Sequence, residues 1–146
     1  MDTSNKFKFL ENITDADYAF EAYGRTLAEL FENCALAMTG LMADISTVEP
    51  KIKKELLFRG EQIDKLLFDF LQELIYFKDA EVLLFCQFHM VEKKIEDEYE
   101  IKIVMEGEEI NLEKHKLGID VKAVTYHKYE VKKEKDKWKA QIVLDV

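Results

Sequence analysis

The sequence predicts an α+β fold, with two main helices packed on one face of a largely antiparallel or mixed sheet of about seven strands. Three observations predict it. Two stretches repeat apolar residues at steps of three and four, which marks one face of a helix. Seven others alternate or run apolar over short lengths, as strands do. A single proline, only five glycines in 146 residues, no fixed-period repeat and no Pro/Gly/Ser-rich linker leave one continuous domain over residues 1–146.

Taken in order, Lys6–Leu10 and Tyr18–Tyr23 are short strands. The first helix spans Thr26–Asp44, with Leu27, Leu30, Phe31, Cys34, Ala37, Met38, Leu41 and Met42 on one face. Thr26 followed by Glu29 fits a capping box, and Ser46–Glu49 with Pro50 marks the exit. Lys51–Phe58 is a strand. The second helix spans Gln62–Lys78, with Ile63, Leu66, Leu67, Phe70, Leu71, Leu74 and Ile75 as its stripe. Its acidic first half and the terminal Lys78 suit the helix dipole. Val82–Val91 and Glu98–Met105 are strands joined by the charged Glu92–Asp97 connection. Glu106–Lys116 is a polar loop with one helical turn. The alternation from Val121 to Lys132 then pairs with Trp138–Leu144 across a charged hairpin turn at Lys133–Lys137.

Composition narrows the function. With 21 Lys+Arg against 30 Asp+Glu, the formal charge is −9. That disfavours an unaided grip on RNA or DNA, whose affinity rests on neutralising phosphates, and it disfavours anionic membrane. The charge is uneven: residues 1–50 carry 3 basic and 9 acidic groups, residues 51–110 carry 9 and 15, and residues 111–146 carry 9 and 6. Only the last quarter is locally basic. Cys34 and Cys86 sit in apolar surroundings without CxxC spacing and read as reduced core thiols. The polar start lacks an apolar signal core, and no apolar run reaches the ~20 residues of a membrane span. A soluble, cytoplasmic protein is expected.

Chemistry-bearing motifs are few. Gly60, in Arg59-Gly60-Glu61, is a lone turn glycine rather than a phosphate loop. Of His89, His115 and His127, the first and last fall in strands, and their spacing suggests no zinc site. No Ser or Cys is accompanied by a His in a catalytic pattern. Carboxylates say more. Asp15 and Asp17 lie two apart before a strand, a reasonable arrangement for a hard cation and equally for a solvated turn. Asp145 ends a run, Gln141–Val146, that is strand-like to its last residue, which ties that carboxylate into the sheet.

Phe9-Leu10-Glu11, then Ala16-Asp17, then the run from Phe20 to Asn33 (Phe-Glu-Ala-Tyr-Gly-Arg-Thr-Leu-Ala-Glu-Leu-Phe-Glu-Asn) resemble the opening of archease. So do Leu117–His127, containing Lys-Ala-Val-Thr-Tyr-His, and the ending Ile142–Val146. The resemblance covers the chain in order. It departs at Ile13–Ala19, where many members carry His-Thr-Ala-Asp-Ile-Gly. Here the Ala-Asp pair is kept and the His and Gly are not.

The resemblance implies a strand–helix–strand–strand core with an inserted module. It implies a protein cofactor, not an enzyme, for the GTP-dependent tRNA-splicing RNA ligase. Such a cofactor speeds guanylylation of the ligase's active-site histidine and permits multiple turnover. It implies a divalent metal, calcium first with magnesium or manganese as alternatives, held by Asp17 and Asp145 with Val146 contributing a backbone or terminal oxygen. Asp15 and Asp120 are nearby acidic candidates. The partner is then the ligase, with RNA met only indirectly, and neither DNA nor membrane. Two other readings compete. One is an RNA-binding module or RNA chaperone, supported by Lys128, Lys132, Lys133, Lys135, Lys137 and Lys139 with Tyr126, Tyr129 and Trp138. The other is a metal-dependent hydrolase using Asp15, Asp17 and Asp145.

Overall fold

A computed structural model describes residues 6–10 and 17–146 of the chain. The strands are β1 (Phe7–Leu10), β2 (Asp17–Gly24), β3 (Ile52–Gly60), β4 (Leu83–Ile95), β5 (Glu98–Glu109), β6 (Ala123–Glu134) and β7 (Lys137–Asp145). Among the described residues the helices are α1 (Leu27–Met42) and α2 (Ile63–Ala80), with a 3₁₀ turn at Ile45–Thr47. The α+β class, the two main helices and the seven strands are those expected.

Local chemistry fixes the helix ends. Thr26 caps α1 by accepting the Glu29 N–H at 3.1 Å. The reciprocal half of the capping box is displaced by one residue, because the Glu29 carboxylate takes the N–H of Arg25 at 3.5 Å. Asp44 likewise accepts the Ser46 N–H at 3.1 Å to start the 3₁₀ turn. Lys78 lies in the last turn of α2, where the carbonyl ends of the helix favour a cation.

The strands divide into two fully antiparallel sheets, ordered β1-β2-β7-β6 and β3-β5-β4. The reason lies in α1. Its buried residues include Leu27, Leu30, Phe31, Cys34, Ala35, Ala37, Met38 and Met42, a band too wide for one sheet to cover. The helix therefore packs against β2 of the larger sheet and β4 of the smaller one, while α2 contacts β6, β3 and β4. Between them, Phe20, Phe31, Phe70 and Phe85 are fully buried or nearly so, each contributing roughly 1.5–3 kcal/mol by leaving water. Phe31 and Phe70 stack across the helix pair, centroids 6.0 Å apart. In chain order, β2-α1-β6-β7 is a strand–helix–strand–strand unit, and β3-α2-β4-β5 is a second one inserted after α1.

Two details differ from the sequence pattern. Both hairpin turns are tighter than expected. Strand pairing continues to Ile95↔Glu98 and to Glu134↔Lys137, leaving two loop residues each, with Glu96 and Lys135 at φ 57° and 55°. The alternation through β6 is interrupted as well. Thr125 pairs with Val143 and the next pair is Glu130↔Gln141, so Tyr126–Tyr129 form a bulge opposite Ile142 alone. The exposed Tyr126 ring lies flat on Phe68, with centroids 4.0 Å apart.

Candidate functional site

The β2–β7 ladder sets the first of the expected carboxylates against the last. Asp17 and Asp145 are direct register partners, and Ala123 of β6 lies opposite Asp145 on its other side. Directly opposed residues in an antiparallel pair put their side chains on one face, with Cβ atoms roughly 4.5–5.5 Å apart. Asp17 and Asp145 are thus cross-strand neighbours brought together from the two ends of the chain, each half-buried. The face they share is opposite the helices. The helix-side positions of the same strands are Phe20, Ala22, Ala140, Ile142 and Leu144, all in the core.

The surroundings of the pair are held by backbone. The Lys122 N–H donates to the Asp145 carbonyl at 2.8 Å, which carries the β6 approach past the end of β7. Ala19 and Val143, the next pair along the same face, are 3% and 1% exposed. Thr125 donates its hydroxyl to the Val143 carbonyl at 3.0 Å. Val146 is half-buried and packs on the core. Asp120 points elsewhere: it is exposed and pairs with Lys78 of α2 at 3.0 Å. Asp15 lies outside the described residues. Lys122 heads the Lys-Ala-Val-Thr-Tyr-His stretch, and only the strand pairing makes it a neighbour of Asp145.

Two opposed carboxylates with oxygen-only chemistry suit a hard divalent cation, which takes six to eight oxygens when it is calcium. They do not make a closed protein cage. Among the described residues, no group of three or more His, Cys, Asp or Glu is placed to hold a metal ion. An ion here would depend on water, main-chain oxygen or another molecule for most of its shell.

A second polar cluster lies away from this face. Glu108 is buried at the end of β5, where Lys114 approaches one carboxylate oxygen at 2.8 Å, the Glu49 N–H donates at 2.6 Å and His115 sits at 3.0 Å. His115 is also buried, and its Nδ1 accepts the Asn111 N–H at 2.9 Å, so Nε2 carries the proton toward Glu108. Lys114, then the Glu49 amide, then His115 hold the Glu108 carboxyl down at about 2. This cluster pins the segment after α1 to the loop after β5. His89 and His127 lie in β4 and β6 as expected, both exposed. The thiols are buried (Cys34) and half-buried (Cys86), and burial raises the pKa of each.

The model of the archease protein family matches residues 7–146. The chain belongs to the archease family. A protein archease of Methanosarcina acetivorans is 39% identical over 142 residues, 97% of this chain and 96% of that one. The archease of Pyrococcus abyssi is 37% identical over 132 residues, covering 90% and 93%. The solution structure of Methanobacterium thermoautotrophicum protein 1598 superposes with a TM-score of 0.85 at 37% identity, covering 97% of this chain and 99% of that chain. The crystal structure of a Thermotoga maritima archease, described as a possible chaperone, shares the fold with a TM-score of 0.61 at 20% identity. Among the described residues of this archease, no helix is long and apolar enough to cross a membrane.

Proposed function

We propose that the chain is a non-catalytic protein cofactor of the GTP-dependent tRNA-splicing RNA ligase, acting in the cytoplasm. It stimulates guanylylation of the ligase's active-site histidine and lets the ligase turn over repeatedly. The observation that carries the reading is the pairing of Asp17 with Asp145 on a sheet face without a helix. Two carboxylates set directly opposite on one face bring oxygen ligands from both ends of the chain within reach of one hard cation.

Asp17 and Asp145 would hold the divalent ion, calcium first, with Val146 beside them. When bound, the ion supplies positive charge and open coordination positions on an otherwise acidic protein. The chain's own residues do the rest. The β2–β7 ladder fixes the spacing of the two carboxylates, and the Lys122–Asp145 backbone bond holds the strand end in place. The buried Ala19–Val143 pair gives the site a rigid floor. Rigid placement lets such a surface dock on an enzyme without the cost of ordering it.

The deciding experiment is a guanylylation assay of the cognate ligase with this protein at substoichiometric amounts. Wild type should raise both the rate and the number of turnovers. Asp17→Ala and Asp145→Ala should lose that stimulation while keeping the wild-type circular dichroism. Full stimulation by both variants overturns the assignment of the site, and no stimulation by wild type overturns the function.

A further inference from the structure

The sheet face that carries Asp17 and Asp145 has opposite charge at its other end. Side chains two apart on a strand share a face, so Glu21 and Tyr23 of β2 lie on the face of Asp17, and Lys139 of β7 on that of Asp145. The register adds Lys8 beside Glu21 and Lys132 beside Lys139. The Lys6 carbonyl accepts the Tyr23 N–H at 2.9 Å, which brings Lys6 alongside Tyr23. The Lys137 ammonium lies over the Tyr23 ring, 5.3 Å from its centroid. Six residues of extended chain separate Tyr23 from Asp17, about 20 Å at ~3.3 Å per residue.

At this end a cleft of about 910 Å³ opens between the end of the sheet and the helix layer, with Lys6, Lys8, Tyr23, Arg25 and Lys137 on one side and α1 with Phe88 of β4 on the other, Glu29 and Glu32 among the α1 residues. Most cations of the smaller sheet and of α2 are spent on carboxylates: Lys53 on Glu106, Arg59 on Glu100, Lys65 on Asp69, Lys102 on Glu55. Here it is otherwise. Among the described residues, no carboxylate lies within ion-pairing distance of Lys8, Arg25 or Lys137. Glu32 is engaged by the Met90 N–H at 2.9 Å, and Glu21 by Lys139 at 3.4 Å and the Tyr23 hydroxyl at 2.9 Å. In a chain with 30 acidic and 21 basic residues, cations that converge on one concavity make a local positive potential. The carboxylate end does not cancel it, because ~20 Å exceeds the ~8 Å screening length of physiological salt.

We propose that this cleft binds the phosphodiester backbone of a single-stranded nucleic acid, with Tyr23 as the aromatic beside the bases. Grooves that combine backbone-tracking cations with an aromatic are a recurrent way to hold single strands. The concavity also favours a strand over a folded acidic protein. A cleft admits an extended strand along its floor, whereas a stable folded partner needs about 800 Å² of contact on each surface. The proposal does not rest on the ligase reading, since it concerns binding by the protein alone.

The test is fluorescence anisotropy of a labelled single-stranded RNA 10-mer with the full chain, from low to physiological salt. Wild type should bind at low salt. The triple variant Lys8→Ala/Arg25→Ala/Lys137→Ala should bind at least tenfold more weakly. Its plot of log affinity against log salt should flatten by about 2, at ~0.7 per lost phosphate contact. The triple variant Lys93→Ala/Lys94→Ala/Lys116→Ala removes the same charge elsewhere and should stay within twofold of wild type. Thermal unfolding confirms that both variants are folded. Absence of wild-type binding at low salt overturns the proposal, as does equal loss in both variants. So does displacement of the RNA by polyglutamate or tripolyphosphate as readily as by unlabelled RNA of equal charge, which would reassign the cleft to an acidic peptide or a free polyphosphate.

Discussion

Asp17 and Asp145 face each other across the β2–β7 ladder, first residue of one strand against last residue of the other. In chelator, wild type, Asp17→Asn and Asp145→Asn should unfold within about 2 °C of one another, since 1 kcal/mol is worth ~2–4 °C at this chain length. Added calcium should separate them. Wild type should gain up to about 2.7 kcal/mol at a hundredfold excess over its dissociation constant, while Asp17→Asn and Asp145→Asn gain nothing. Scanning calorimetry with and without calcium reads both effects. An equal calcium response in wild type and variants would remove the metal from this pair.

The thiols should separate cleanly in a labelling experiment. Cys34 is fully buried and burial drives its pKa up, so it offers no thiolate to a reagent in the folded state. Cys86 is half-buried, with its Sγ 3.6 Å from the Glu106 carbonyl, and burial raises its pKa as well. An aromatic disulfide reagent at neutral pH should release slightly under one equivalent of chromophore, slowly and entirely from Cys86. The second equivalent should come only in denaturant. Mass spectrometry of the labelled protein identifies the residue.

The helices were legible because a 3.6-residue period is a local signal, and Thr26 capped α1 where expected. That Asp17 and Asp145 share a face was not legible from spacing, because a one-residue slip of register would put them on opposite faces; the pair came from the resemblance. The split into two sheets was invisible, since alternation marks a strand and not its partner. The β6 bulge was hidden because Tyr126–Tyr129 keeps a strand-like composition and Lys128 takes φ 51° with no glycine to announce it. The burial of His115 ran against its neighbours Lys114 and Lys116, which are polar. It follows from contacts with Glu108, seven residues earlier.

Gly107 is a position where only the absence of a side chain fits. It lies in the central strand β5, opposite Phe85 where β4 gains an extra residue at Cys86, and opposite Ile52 of β3. A Cβ there would overlap the Leu84 carbonyl oxygen and stand 2.6 Å from the Phe85 Cα. Both obstacles are backbone and cannot rotate away. Gly107→Ala should destabilise by about 3 kcal/mol, the upper end of overpacking costs. Gly40→Ala, where a Cβ meets nothing within 4 Å, should instead be neutral or stabilising by up to about 1 kcal/mol. Urea unfolding of the two variants gives the comparison directly.

The Glu108 cluster gives the fold an acid limit whose sign follows from its pKa. The carboxyl is held at about 2, against an ordinary 4.5, by Lys114, the Glu49 amide and His115. A carboxyl depressed in the folded state binds protons more readily once unfolded. Its stabilisation is thus complete above the unfolded value and is lost as pH falls through the folded one. The window is pH 4.5 down to 2. Glu108→Gln should be less stable than wild type at pH 7, because Lys114 loses the shorter of its two ion pairs and keeps only Glu49. The difference should shrink across that window and vanish near pH 2. Lys114→Met should narrow the window, moving the folded-state value back toward 4.5, while His115→Gln, which loses a weaker contact, should move it less. Urea midpoints recorded from pH 7 to 2 test the order. A wild-type minus Glu108→Gln difference independent of pH would show that Glu108 acts through packing alone.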